Sequence, residues 1–198
     1  MQRRLFVAIN LPERAVREID AEVAALEPLF KNATVRFLSP ETWHLTLTFL
    51  GEQDDEALGE IVHAAEETAA DVSVFPLRLA KLLYGPPGRT PRMIWLGADR
   101  ESTDRLAALK VRFDGALRER AVRIGETERR FEGHLTLARF ADEARRARFA
   151  GHVPALPPLD MARPIEFEAL SLDLMESLPE SEGARYDCLG KVPFNELQ

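Results

Sequence analysis

Three kinds of hydrophobic pattern alternate along the chain. Arg4–Asn10 is a short, mostly apolar run closed by Leu11-Pro12, the signature of a buried strand. Pro12 suits the first turn of a helix, and Val16, Ile19, Val23, Leu26 and Phe30 then recur at helical spacing. Asp54 to Asp71 repeats that spacing with Leu58, Ile61, Ala65 and Ala69, and Ser102 to Arg120 repeats it with Leu106, Leu109, Phe113 and Leu117. Between these helices Thr34–Leu38, Trp43–Leu50, Val74–Leu83, Met93–Leu96 and Phe131–Phe140 read as strands. Ser39-Pro40-Glu41 is a turn, Gly51 stops the strand before it, and Tyr84–Pro91 is a loop rich in glycine and proline. Arg123–Arg130 is a polar connection, Glu143–Phe149 a short helix and His152–Pro158 a proline-rich loop. Two last strands, Pro164–Met175 and Arg185–Phe194, flank an acidic loop, Glu176–Gly183.

The order is strand–helix–strand–strand–helix, and then much the same again. Neither half has enough strands to stand alone. The residues His-Leu-Thr-Leu occur at 44–47 and again at 134–137, a separation of 134 − 44 = 90 in a chain of 198. The expectation is an α+β fold forming a single domain over residues 1–198. It consists of two intertwined, pseudo-symmetric lobes, whose mainly antiparallel sheets face a central groove with helices outside. One motif strand lines each wall.

In a strand, residues i and i+2 share a face. Each copy therefore presents an imidazole beside a hydroxyl, His44 with Thr46 and His134 with Thr136, while the leucines point into a core. Imidazole titrates near 6.5, so one neutral and one protonated histidine can coexist at neutral pH as base and acid. Each such group is worth roughly 10²–10⁴ in rate. Threonine hydroxyls donate to phosphate oxygens, and an arginine neutralises charge growing on them. Acid–base chemistry on a phosphate follows, with no metal and no cofactor required. His63 and His152 have no partner at metal-ligand spacing.

Composition narrows the class. Hydrophobic content of 45% with 30% charged residues is that of a soluble globular protein. A net charge of −7 speaks against coating long nucleic acid, yet leaves room for a local arginine cluster around one phosphate. Arg36, Arg89, Arg92, Arg129 and Arg130 are either guides for RNA or solvated surface. The lone Cys188 excludes an intramolecular disulfide framework, fits a reducing compartment and reads as a small buried residue of a late strand. No apolar run reaches membrane-spanning length, and the start lacks a secretory pattern. A cytoplasmic monomer with no membrane or protein partner is expected.

Five segments together resemble a known family: Arg4-Leu5-Phe6-Val7-Ala8-Ile9, Ser39 to Gly51 around the first motif, Pro91-Arg92-Met93-Ile94-Trp95, His134 to Arg139, and the ending from Arg185-Tyr186 to Phe194. The chain is similar along nearly its whole length to the 2H phosphoesterase superfamily. Within it, the chain looks most like the RNA 2′,3′-cyclic phosphodiesterases formerly described as 2′–5′ RNA ligases. The resemblance implies hydrolysis of an RNA-terminal or nucleoside 2′,3′-cyclic phosphate to a 2′-phosphomonoester, with weak reverse joining of 2′,5′ RNA ends. It implies that His44 protonates the departing 3′ oxygen, that His134 activates water, and that Thr46, Thr136 and Arg139 hold the phosphate. Phe49 either stacks on the neighbouring base or belongs to the core.

Two positions strain the pattern. By strand parity Glu132 lies on the His134 face, where its carboxylate raises the imidazole's pKa. Arg139 has odd spacing from His134, so a flat strand turns it away and a bulge or strand end has to bring it round. Three other readings stay open: a non-catalytic binder of RNA ends, a hydrolase using both histidines as metal ligands, and a phosphodiesterase for another cyclic or 2′–5′ nucleotide.

Overall fold

The computed structural model describes residues 2–30, 35–125, 131–141, 156–180 and 183–196. The elements run β1 (Arg3–Asn10), α1 (Glu13–Leu26), β2 (Val35–Phe37), β3 (His44–Gln53), α2 (Asp55–Ala69), β4 (Phe75–Gly85) and β5 (Met93–Ala98). Then follow α3 (Arg100–Glu119), β6 (His134–Phe140), β7 (Ile165–Ala169), β8 (Ser171–Glu180) and β9 (Gly183–Pro193). Two of the three helices start on an aspartate that caps a free backbone N–H. Asp54 accepts from the Ala57 N–H at 2.9 Å, and Asp99 from the Ser102 N–H at 2.8 Å. The first begins directly after Pro12, and a single 3₁₀ turn, Glu27–Phe30, carries its apolar stripe on to Phe30.

The strands form two sheets, ordered β3-β1-β8-β9 and β2-β6-β5-β4-β7, with every pairing between named strands antiparallel. The connections interlace. The helix after β1 packs against β7 of the other sheet, α2 lies on β8 and β9, and α3 touches both β3 and β4. Side chains from both sheets and all three helices, including Leu5, Ile19, Leu50, Ile61, Leu96 and Phe113, belong to one continuous core. The other face of the first sheet carries a small separate cluster of Phe6, Ala8 and Met175 against Tyr186. Strand β1 thus has Leu5, Val7 and Ile9 on the core side and Phe6, Ala8 and Asn10 on the groove side, which is why its sequence shows no alternation.

Several boundaries differ from the sequence reading. Gly51 does not stop its strand. It sits at φ 75° in a bulge opposite Leu5, and β3 continues to Gln53. The single strand expected over Pro164–Met175 is broken at Leu170 into β7 and β8, which belong to different sheets. The acidic segment read as a loop is mostly strand: Glu176–Glu180 continues β8 and pairs with Gly183–Asp187. Strand β1 reaches only as far as Glu176 on β8, so this end of the hairpin overhangs the sheet unaccompanied. Cys188 is exposed rather than buried. The short helix expected at Glu143–Phe149 lies outside the described residues, as do Thr34, Arg129, Arg130 and His152. Among the described residues no helix is long and apolar enough to cross a membrane.

Candidate active site

The two motif strands have the same local build. From His44 to Leu50 and from His134 to Phe140, the residues run half-buried, buried, half-buried, buried, buried, exposed, buried. The doubled buried position has one cause in both copies. On β3 the pairing with β1 slips between Val7–Thr48 and Ala8–Thr46, leaving Leu47 as an extra residue. On β6 the pairing with β5 slips between Ile94–Ala138 and Trp95–Thr136, leaving Leu137 as the extra residue. A bulge of this kind reverses the side-chain parity beyond it. Phe49 and Arg139 are thereby returned to the face that carries the histidines and threonines. This is the redirection that Arg139 required, and it acts on Phe49 equally. Phe49 is 59% exposed, so the core reading of that residue falls away.

Strands β3 and β6 also lie against each other where the two sheets meet. Each histidine rests on aromatic rings. The His44 ring sits 4.8 Å from Phe6 and meets Tyr186 edge-on at 5.0 Å, and Tyr186 in turn meets Phe6 at 5.3 Å. The His134 ring stacks on Trp95 at 3.7 Å with 23° between the planes. Trp95 lies directly on Gly85, where an added Cβ would collide with the indole. The pile of Gly85, Trp95 and His134 therefore depends on a residue with no side chain.

The imidazole nitrogens have distinct tasks. His134 Nδ1 donates to the Glu132 carbonyl oxygen at 2.7 Å, which places the proton on Nδ1 in the neutral ring and leaves Nε2 as a free base. Burial lowers the His134 pKa from its ordinary value, opposed by the Glu132 carbonyl and the Glu132 charge. The Glu132 side chain is exposed and lies before β6 begins, so its charge acts on the ring as expected while its backbone carbonyl does the positioning. His44 is treated the same way by the carbonyl of Thr42, also two residues earlier. Burial, helped by positive charge on His134, nevertheless pushes the His44 pKa down to about 4. That influence of His134 on His44 marks the two rings as near each other.

The hydroxyl of Thr136 has only Met93 Sδ at 3.9 Å, a weak acceptor that a phosphate oxygen easily replaces. Asn10, directly opposite His44, donates through Nδ2 to Asp173 at 2.6 Å and toward Met175 Sδ at 3.4 Å. Among the described residues no group of three His, Cys, Asp or Glu is placed to hold a metal ion. The two strands present two imidazoles, two threonine hydroxyls and an arginine on the faces that carry the histidines. Sequence reasoning misses Phe6, Trp95 and Tyr186 as parts of the site. Their signal is the alternation Phe6, Ala8, Asn10 and Met93, Trp95, Gly97, but burial on both faces hides it.

Residues 9–95 match the family model described as LigT like Phosphoesterase. A relative from Methanocaldococcus jannaschii, named RNA 2′,3′-cyclic phosphodiesterase, is 35% identical over 97 residues, which is 48% of this chain and 50% of the relative. A Thermotoga maritima protein of the same name is 32% identical over 106 residues, 54% of each chain. The chain spans about half the length of the curated relatives it matches. In three dimensions the likeness is nearly complete. A crystal structure from Thermus thermophilus aligns with 98% of this chain and 100% of its own, at TM-score 0.73 and 29% identity. Escherichia coli LigT complexed with NADP+ aligns with 98% and 99% of the two chains, at TM-score 0.73 and 25% identity.

Proposed function

We propose that the chain is a LigT-like phosphoesterase, as its matched segment and its fold support, and that it hydrolyses 2′,3′-cyclic phosphates at RNA ends to 2′-phosphomonoesters. The reading rests above all on the two bulged His-x-Thr strands, set against each other so that His44 feels the charge of His134. His134 Nε2 takes a proton from water. The water oxygen bonds to phosphorus, and the bond from phosphorus to the 3′ oxygen breaks. His44, protonated on Nε2, gives its proton to that oxygen. The strong depression of the His44 pKa favours it as the acid: once charged, it is the readier donor. Its charge arrives with the substrate, because an anionic phosphate beside an imidazole stabilises the protonated form.

Thr46 and Thr136 donate to the non-bridging oxygens, and Arg139 neutralises the charge that grows there. Phe49 stacks on the terminal base, a contact indifferent to base identity. The E. coli LigT neighbour was crystallised with NADP+, whose adenosine ribose carries a 2′-phosphate like the proposed product. The same geometry run backwards, with a 5′-hydroxyl in place of water, joins 2′,5′ ends. The protein acts as a single domain and a monomer on this reading.

The test is turnover of a nucleoside 2′,3′-cyclic phosphate in EDTA, with the position of the product phosphate read by ³¹P NMR. A 2′-phosphate formed at undiminished rate is the expected result. A 3′-phosphate, loss of activity to the chelator, or tight binding without turnover would each replace this reading with one of its rivals.

A further inference from the structure

Two arginines face each other on the groove side of the second sheet with no counter-charge. Arg36, at the centre of β2, is the register partner of Arg139 on β6. Its neighbours Val35 and Phe37 pack on the core, which leaves Arg36 on the opposite face, and the bulge puts Arg139 there as well. Both are exposed, and among the described residues neither has a carboxylate partner. Arg78, Arg120 and Arg185, by contrast, each reach two carboxylates. Like charges directly opposite each other destabilise an antiparallel pair. In a chain of net charge −7 this is not a by-product of surplus cations.

The overhanging hairpin adds a second observation. The guanidinium of Arg36 lies against Gly183, the first residue of β9, where a Cβ would be 3.0 Å from Nη1 and 3.1 Å from Nη2. Gly183 has φ 143°, a conformation that side chains resist, so the backbone itself forms the contact. Arg36 therefore reaches from the second sheet to the hairpin of the first. It closes one end of the groove, roughly 10 Å along β6 from Thr136 at the ordinary rise per strand residue, and one strand further out.

We infer that Arg36 is a specificity residue for an RNA end over a mononucleotide: beside Arg139, which serves the terminal phosphate, it grips the phosphodiester one nucleotide before the cyclic phosphate. The planar fork of Arg36 suits the non-bridging oxygens of such a phosphate, and an anion bound beside it relieves its repulsion with Arg139. The inference rests on the proposed function for which end of the groove holds the terminal phosphate. It goes beyond that reading in giving this chain a second phosphate subsite.

The experiment has two arms. In the first, Arg36→Ala and Arg36→Lys are compared with wild type on a nucleoside 2′,3′-cyclic phosphate and on a dinucleotide ending in one. Arg36→Ala is expected to lower kcat/KM about tenfold on the dinucleotide and leave the nucleoside substrate unchanged, with Arg36→Lys in between. Equal effects on both substrates, or none on either, overturn the inference. In the second arm, binding of a fluorescent dinucleotide ending in a 2′-phosphate is measured with a native or a methylphosphonate internal linkage. Wild type is expected to prefer the native linkage about tenfold and Arg36→Ala to lose that preference. If wild type turns over neither cyclic substrate, the proposed reaction fails while this binding arm still decides the subsite. Equal wild-type affinity for the two linkages overturns it whatever the turnover.

Discussion

Strands β3 and β6 repeat one design on different foundations. Both carry His-Leu-Thr-Leu, the same burial sequence and an extra residue at the second leucine. In each, the carbonyl two residues before the histidine opposes the pKa drop that burial imposes. What surrounds them differs. Strand β3 is an edge strand whose one strand partner among the described residues is β1, and its histidine is enclosed by Phe6 below and by Tyr186 from the overhanging hairpin. Strand β6 is interior, between β2 and β5, and its histidine lies flat on one indole. The position after the bulge differs too. Thr48 donates to Asp114 Oδ1 at 2.7 Å and accepts from Lys110 Nζ at 3.1 Å, fastening the edge strand to α3, whereas the interior strand has Ala138 there. Shared backbone geometry makes the pair. Unlike packing makes its members unequal, as an acid and a base must be.

Removing either ring breaks the comparison outright. His44→Ala and His134→Ala are each expected to cost roughly 10²–10⁴ in kcat on a nucleoside 2′,3′-cyclic phosphate, with the double variant losing less than the product of the two. Losses differing by more than those two decades, with one variant near wild type, would mean that only one strand carries chemistry. A gentler perturbation unseats only one member. Gly85→Ala drives a Cβ into Trp95 beneath His134, with no counterpart beneath His44, and is expected to lower kcat by about 10²-fold through misplacement of that one ring. Unchanged kcat in a folded Gly85→Ala protein would show that the stack does not set the position of His134.

The threonines test equivalence more finely. Thr46→Ala and Thr136→Ala should each cost kcat about tenfold to 10²-fold and act alike, since each removes one donor to the same phosphate. A large effect from one and none from the other contradicts a shared phosphate site. Thr48→Ala makes the edge strand resemble its partner. It strips a hydroxyl from the buried Lys110–Asp114 pair and should lower stability by about 1–3 kcal/mol in denaturant unfolding while leaving kcat unchanged. A fall in kcat without loss of stability would move Thr48 into the site.

Much of this is legible in the residues, for physical reasons that also mark where legibility ends. The helical stripe Leu58, Ile61, Ala65 and Ala69 announces α2, and the repeated motif announces the two strands that lie against each other. The odd spacing of Arg139, set beside the resemblance that places it at the site, asks for a bulge or a strand end, and β6 has a bulge. Alternation cannot reveal a change of partner, so the break at Leu170 that sends β7 and β8 to different sheets leaves no mark. Nor does an acidic run distinguish a loop from a hairpin overhanging its sheet, since strand side chains there face solvent on both sides. Parity marks Glu132 as a charge that raises the His134 pKa, which it is, but does not foresee that its backbone carbonyl also meets the imidazole. The rings under the histidines stay hidden because strands buried on both faces show no period of two.

The central claim is that both histidines meet one phosphate, and a histidine-resolved NMR titration tests it most directly. An unfolded histidine titrates near 6.5, whereas buried His44 is held at about 4, so in the free protein its ring stays neutral until the pH falls to that value. An anion beside a ring favours its charged form and moves the midpoint up. With adenosine 2′-monophosphate added, both His44 and His134 should shift to higher midpoints, His44 by the larger step. Titration of His44 at the ordinary value in the free protein, or a response confined to one ring, would contradict the account.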